Sequence, residues 1–172
     1  MRHLIITLKK AVSWREYKQE LEAVKDGHAV LNFRIPSVPK DSGPGMRCYL
    51  VHDGLIKGWM VISDIRKREG FRCGTTGLWW PEGVYVQRTG PFVYLKTPVP
   101  YKSFQGYHYF DEAYLGEQAP KLASDYTITP AVRSGYLMKS ASDKYGITVA
   151  DTGSVEQTVA AFVKAYLDLE NR

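Results

Sequence analysis

The 172-residue chain carries 44% hydrophobic and 24% charged side chains, the balance of a globular protein that buries a core, which excludes disorder over most of its length. Its net charge of +5 lies wholly in residues 1–118, which hold 17 Lys and Arg against 12 Asp and Glu, while residues 119–172 hold six of each. No apolar run approaches the roughly 20 residues needed to cross a bilayer, and the apolar core of the N-terminal segment is short for a secretory leader, so a cytoplasmic protein is expected.

His3 to Leu8 reads as a first strand. Ser13 and Glu16 form an S-x-x-E capping box, and Trp14, Tyr17, Leu21 and Val24 follow at spacings of three and four, so a helix with one apolar face is expected, ended by Gly27. His28 to Ile35 turns extended, stopped by Pro36 and Pro39. Arg47 to His52 is a second strand, and Asp53-Gly54 signals a hairpin into Leu55 to Ile62, with a bulge or close backbone approach at Gly58.

Arg66-Lys67-Arg68 and Arg72 precede a Gly/Thr turn over residues 74–77 and the paired Trp79-Trp80, expected in a loop. Val84 to Thr89 and Phe92 to Thr97 read as a second hairpin, and Phe104 to Phe110 as a last strand or extended return. Residues 116–130 read as a connector, followed by a weak helix over 131–142. Over 154–169 a stronger one carries a Val155, Val159, Phe162, Val163, Tyr166 stripe, which packs on the barrel or serves a homodimer.

The stretch from Leu78 to Phe110 holds ten of the 22 aromatic residues, interleaved with Arg88, Lys96, Lys102 and His108. Because strand residues alternate faces, the same segment can supply barrel wall and a surface on which bases stack beside cations. Val93 and Leu95 are the natural core, leaving Tyr94 and Lys96 outward. The candidate binding residues are Arg72, Trp79, Trp80, Arg88, Lys102, Phe104, Tyr107 and His108. Their structural alternative is that the tryptophans cap the barrel end and the aromatic return closes it. Arg66-Lys67-Arg68 is a solvated run or a set of phosphate contacts without sequence choice.

Cys48 and Cys73 write neither a disulfide framework nor a zinc site, and Cys48 is expected in the core. The four histidines make no metal signature, and no phosphate-binding loop or nucleophile elbow is present, so no cofactor is implied. Cys73, flanked by arginines but with no histidine close in sequence, is a weak nucleophile candidate.

The order helix, Gly27-His28-Ala29-Val30-Leu31-Asn32-Phe33-Arg34, proline loop, strand, Asp53-Gly54-Leu55-Ile56-Lys57-Gly58 resembles the ASCH branch of the PUA-like superfamily over residues 3–110. Gly27 and Arg34 match the family's G-x-K-x-x-E-x-R-like signature, and Ile56 with Gly58 its I-x-G element. Two positions depart: His28 or its neighbour stands where the family usually has Lys, and Asn32 where it usually has an acid. The resemblance implies an α+β fold, a small mixed PUA-like β-barrel over 1–118 with flanking helices, with 119–172 as connector and C-terminal helical extension.

It also implies binding of RNA or of modified or single-stranded bases, and adds Arg34 to the candidate binding residues. The alternative is a hydrolase on modified nucleosides or RNA. That activity looks to depend on the positions that differ here, so the candidate base becomes His28, which needs an orienting partner the sequence does not disclose. A protein-interaction module is a third reading.

Overall fold

In the computed structural model the described residues are 1–118 together with Gln157, Ala161 and Lys164. The expected helix over 131–142 and most of the connector lie outside them, as does the expected helix over 154–169 except for Gln157, Ala161 and Lys164, which are helical. Residues 1–118 form eight strands and one α-helix: β1 His3–Thr7, α1 Trp14–Ala23, β2 Leu31–Ile35, β3 Arg47–His52, β4 Leu55–Arg68, β5 Phe71–Arg72, β6 Trp79–Trp80, β7 Gly83–Pro100 and β8 Tyr107–Phe110. A short 3-10 segment, Glu112–Gln118, follows.

The six longer strands form one mixed sheet in the order β2-β7-β4-β3-β1-β8, in which only β1 and β3 run parallel. The sheet curls into a half-barrel. Three register shifts between β4 and β7 mark the bends: the chain advances two residues from Trp59 to Val61 while β7 advances four from Thr89 to Val93, and each unmatched residue adds local twist. The curl brings the two edges together where a Cβ on Gly106 would stand 3.4 Å from Cδ of Pro36.

Helix α1 begins as its sequence requires, with the Ser13 hydroxyl accepting from the Glu16 N–H at 3.5 Å. Tyr17, Leu21 and Val24 are buried against Leu4, Ile6, Cys48, Leu50, Met60, Ile62, Val86 and Leu31, which fill the concave face of the sheet. Asp53 and Gly54 both take positive φ, 51° and 70°, which closes the β3–β4 hairpin with the twist its strands need. Gly58 is required: a Cβ there would run into the Val93 carbonyl and the Phe92 ring.

Two expectations change. Residues 84–97 are not a hairpin but one strand, because both halves pair with β4, Val61 with Thr89 and Trp59 with Val93. Gly90, at φ 84°, bends the strand instead of reversing it, and its N–H donates to the Val24 carbonyl at 3.1 Å. Beyond Arg88 the far edge of β7 is not paired by β2, so Pro91, Pro98 and Pro100 leave no ladder bond unmade on that edge. Trp79-Trp80, expected in a loop, forms strand β6, paired with β5.

Candidate nucleic-acid interface

The β5–β6 hairpin decides which aromatics face solvent. Phe71 pairs with Trp80, and Arg72 with Trp79; directly opposed residues share a face and successive residues alternate. Phe71 and Trp80 turn inward, their ring centroids 5.1 and 5.6 Å from that of Tyr85, which is fully buried on β7. Arg72 and Trp79 turn outward, and Trp79 is 68% exposed.

The turn is held by Gly77 N–H to the Cys73 carbonyl and Cys73 N–H to the Leu78 carbonyl, both 2.8 Å. The Thr75 hydroxyl donates to Glu20 of α1 at 2.8 Å, tying the hairpin to the helix. Buried Cys73 is raised by burial but lowered more by the Thr75 and Thr76 hydroxyls and N–H groups, so its thiol lies below the usual range; the arginines expected to act on it do not cause the shift.

Around this hairpin the convex face of the sheet gathers cations. Arg34 lies across Gly83, where a Cβ would meet its Nε at 2.6 Å, and donates to the Glu82 carbonyl at 2.9 Å. Arg72 donates to the Gly77 carbonyl at 3.0 Å. Among the described residues neither charge meets a carboxylate, whereas Lys67 pairs with Glu82 at 2.7 Å and Arg66 with Asp64 at 3.3 Å. Arg68 sits 3.6 Å from the Phe71 ring centroid, a cation over a π-face.

The nine expected binding residues therefore divide. Arg34, Arg72, Trp79 and Trp80 come together at the β2 and hairpin end, with Trp80 serving as packing under the exposed Trp79. Lys102, Phe104, Tyr107 and His108 stand on or before β8, the other edge strand of the sheet. There Phe104 and His108 stack at 3.9 Å, and Tyr107 packs on the concave core. No hydrogen bond, ion pair or ring contact joins the two groups among the described residues.

Arg88 leaves the candidate surface altogether. It pairs with Leu31 and Ile62, two core residues, and is 1% exposed beneath α1. Burial disfavours its charge, and the neighbouring Tyr17, Cys48 and Glu20 outweigh that cost, so the guanidinium holds its proton more firmly than usual. Its Nε and Nη1 make no hydrogen bond among the described residues. Cys48, buried beside it, has its thiol pushed up to about 11.

His28, the expected catalytic base, is exposed and has its Nδ1 2.7 Å from the Gln157 amide nitrogen, with no carboxylate bonded to it among the described residues. A different titratable cluster went unforeseen. Glu112 Oε1 accepts from Arg47 Nη1 at 2.6 Å, from the Tyr49 hydroxyl and from His3 Nε2 at 3.2 Å. His3 Nδ1 accepts the Arg47 backbone N–H at 3.0 Å, which fixes the tautomer that donates to Glu112. Both ring nitrogens are thus occupied, so the cluster locks the sheet to the 3-10 segment instead of presenting a base.

Among the described residues no group of His, Cys, Asp and Glu is placed to hold a metal ion, and no helix is long and apolar enough to cross a membrane. No protein-family model matches this sequence, and no curated protein matches it.

Proposed function

We propose that this chain is a PUA-like nucleic-acid-binding module that holds RNA, or single-stranded or modified bases, against the convex face formed by β2, β7 and the β5–β6 hairpin. The observation that carries the reading is Trp79: a large indole 68% exposed and opposite Arg72 in the register of a hairpin whose Trp80 packs on Tyr85, the β7 partner of Arg34; no described carboxylate neutralises either arginine. An exposed ring beside unneutralised guanidinium groups suits a chain of planar bases joined by phosphates, since the ring stacks on a base and the cations neutralise the backbone. The curled mixed sheet with a flanking helix supports the PUA-like part of the reading.

Fluorescence anisotropy with short labelled RNA and DNA single strands tests it. Binding is expected to weaken steeply between about 50 and 200 mM salt, and Trp79→Ala is expected to weaken it by about tenfold, the equivalent of one lost base stack. Affinity indifferent to both salt and Trp79→Ala overturns the reading.

A further inference from the structure

A second group of rings and cations lies at the other end of the sheet from the hairpin, where β1, β3 and β7 finish and β4 begins. After β7 the chain is anchored there at two points. The Tyr101 N–H donates to the Gly54 carbonyl at 2.9 Å, on the β3–β4 turn, and the Phe104 N–H donates to the Thr7 hydroxyl at 3.4 Å. Thr7 is the last residue of β1, one position beyond the Ile6–Tyr107 pair with which β8 begins. Phe104 therefore continues the surface where β8 stops, and its ring lies flat on that of His108, the centroids 3.9 Å apart and the planes 13° from parallel.

The pair faces outward. His108 is opposite Ile5 on β1, on the face of the sheet turned away from the core under α1 that holds Leu4 and Ile6. It is exposed although Phe104 covers one side of its ring. Among the described residues no other ring packs on it, and no hydrogen bond or ion pair engages its nitrogens. A ring held flat by a neighbour, with its other side open to solvent, is set for stacking before a base arrives, and histidine is among the side chains on which unpaired bases stack.

Cations frame the pair. Lys102 stands between the two anchors, and Thr7 leads within three residues into Lys9 and Lys10. All three lysines are exposed and none forms an ion pair among the described residues; Asp53, on the adjoining turn, lies 3.3 Å from Nδ1 of buried His52. The stagger of the curled sheet also brings this group to the β2 edge. Gly106 stands against Pro36, and His108 and Arg34 are each two residues from that contact, about 7 Å of extended chain on either side.

We infer that Phe104 and His108 form a second base-stacking platform, with Lys9, Lys10 and Lys102 against the adjoining phosphates, and that a single strand bound at the hairpin continues across the Pro36–Gly106 seam onto it. The inference rests on the nucleic-acid reading above and gives that reading a second point of contact.

The test is anisotropy titration of the full chain with labelled thymidine and uridine strands of about 15 nucleotides, near the upper end of what a single-strand site covers. His108→Ala is expected to weaken binding about tenfold, the equivalent of one lost base stack, and His108→Tyr, which keeps a planar ring against Phe104, to restore most of it. Lys102→Gln is expected to flatten the plot of log affinity against log salt by about 0.7, one phosphate contact on a single strand. Thermal unfolding of His108→Ala is expected to match that of the parent, because the ring is exposed.

Full affinity in His108→Ala alongside a loss in Trp79→Ala overturns the second platform and leaves the hairpin site standing. A loss in His108→Ala that His108→Tyr fails to restore also overturns it, because the plane of the ring then plays no part. Should His108→Ala unfold, Lys102→Gln decides, and an unchanged salt slope overturns the inference. If no strand binds the parent chain at all, both readings fall together.

Discussion

Trp79 rests on Gly70: a Cβ built on that glycine would stand 2.6 Å from Cζ2 of the indole and 3.1 Å from Cε2. The exposed ring thus has a defined seat on the chain that leads into its own hairpin. A rigid aromatic plate loses little conformational freedom on stacking, which is what a base-binding ring needs.

The first prediction follows from that seat. Gly70→Ala pushes a solvent-facing ring off its seat instead of compressing a core, so stability is expected to change by less than about 1 kcal/mol. Single-strand affinity is expected to fall in the same direction as in Trp79→Ala. Anisotropy titrations and tryptophan emission together check this: an unmoved emission maximum with unchanged affinity contradicts the seating argument.

The two neighbouring tryptophans are predicted to part company. Trp80 packs at 6.2 Å from Phe71 and 5.6 Å from Tyr85, so Trp80→Ala is expected to cost about 2 kcal/mol of stability, below the full-burial range because the ring is only half-buried. Trp79→Ala is expected to cost little stability and most of the affinity lost. Urea unfolding beside oligonucleotide titration separates the two effects.

How far these roles can be read from sequence depends on how local their causes are. The capping box and the three-and-four spacing wrote α1 into adjacent residues, and Asp53-Gly54 wrote the β3–β4 turn, because the forces involved act within a few positions. The bend at Thr89-Gly90-Pro91 carries the same residues as a hairpin turn. Only the pairing of both halves of β7 with β4, some thirty positions earlier, decides against reversal.

The site was legible in part for the same reason. Alternation could say that one of Trp79 and Trp80 faces out, but which one depends on Tyr85 lying beneath the hairpin. Asn32 and Gln87 are 55 residues apart, and their hydrogen bond leaves no local trace. In the sequence Asn32 stands out only as a departure from the acidic position of the ASCH pattern that the sequence resembles.

Arg88 was drawn to the surface by its charge, and its burial yields a third prediction. It has Leu31 and Ile62 on either side in the sheet, and its Nε and Nη1 are unpartnered among the described residues. A buried charge of this kind is replaced without loss by an apolar group of similar volume, whereas truncation leaves a cavity. Arg88→Met is expected to match or exceed the parent's stability, and Arg88→Ala to lose about 3 kcal/mol. Neither is expected to alter the salt dependence of nucleic-acid binding, since this guanidinium reaches no phosphate. A loss of salt dependence in Arg88→Met contradicts the placement.

The last prediction concerns pH and the Glu112 cluster. Burial is the largest effect on His3 and lowers its proton affinity; Glu112 opposes this, and Arg47 and the N-terminal amine add to the lowering, so its pKa in the fold lies below the ordinary 6.5. Protonating Nδ1 also breaks its bond from the Arg47 N–H, 3.0 Å long. The unfolded chain thus takes up a proton at His3 at a higher pH than the folded chain does. Stability from this group is complete above pH 6.5 and is lost as pH falls from there through the lower native value. His3→Gln, which does not titrate, is expected to be less stable at neutral pH and to show a flatter stability profile over that window. Urea midpoints at neutral and mildly acidic pH provide the measurement, and a slope unchanged by His3→Gln assigns the acid sensitivity elsewhere.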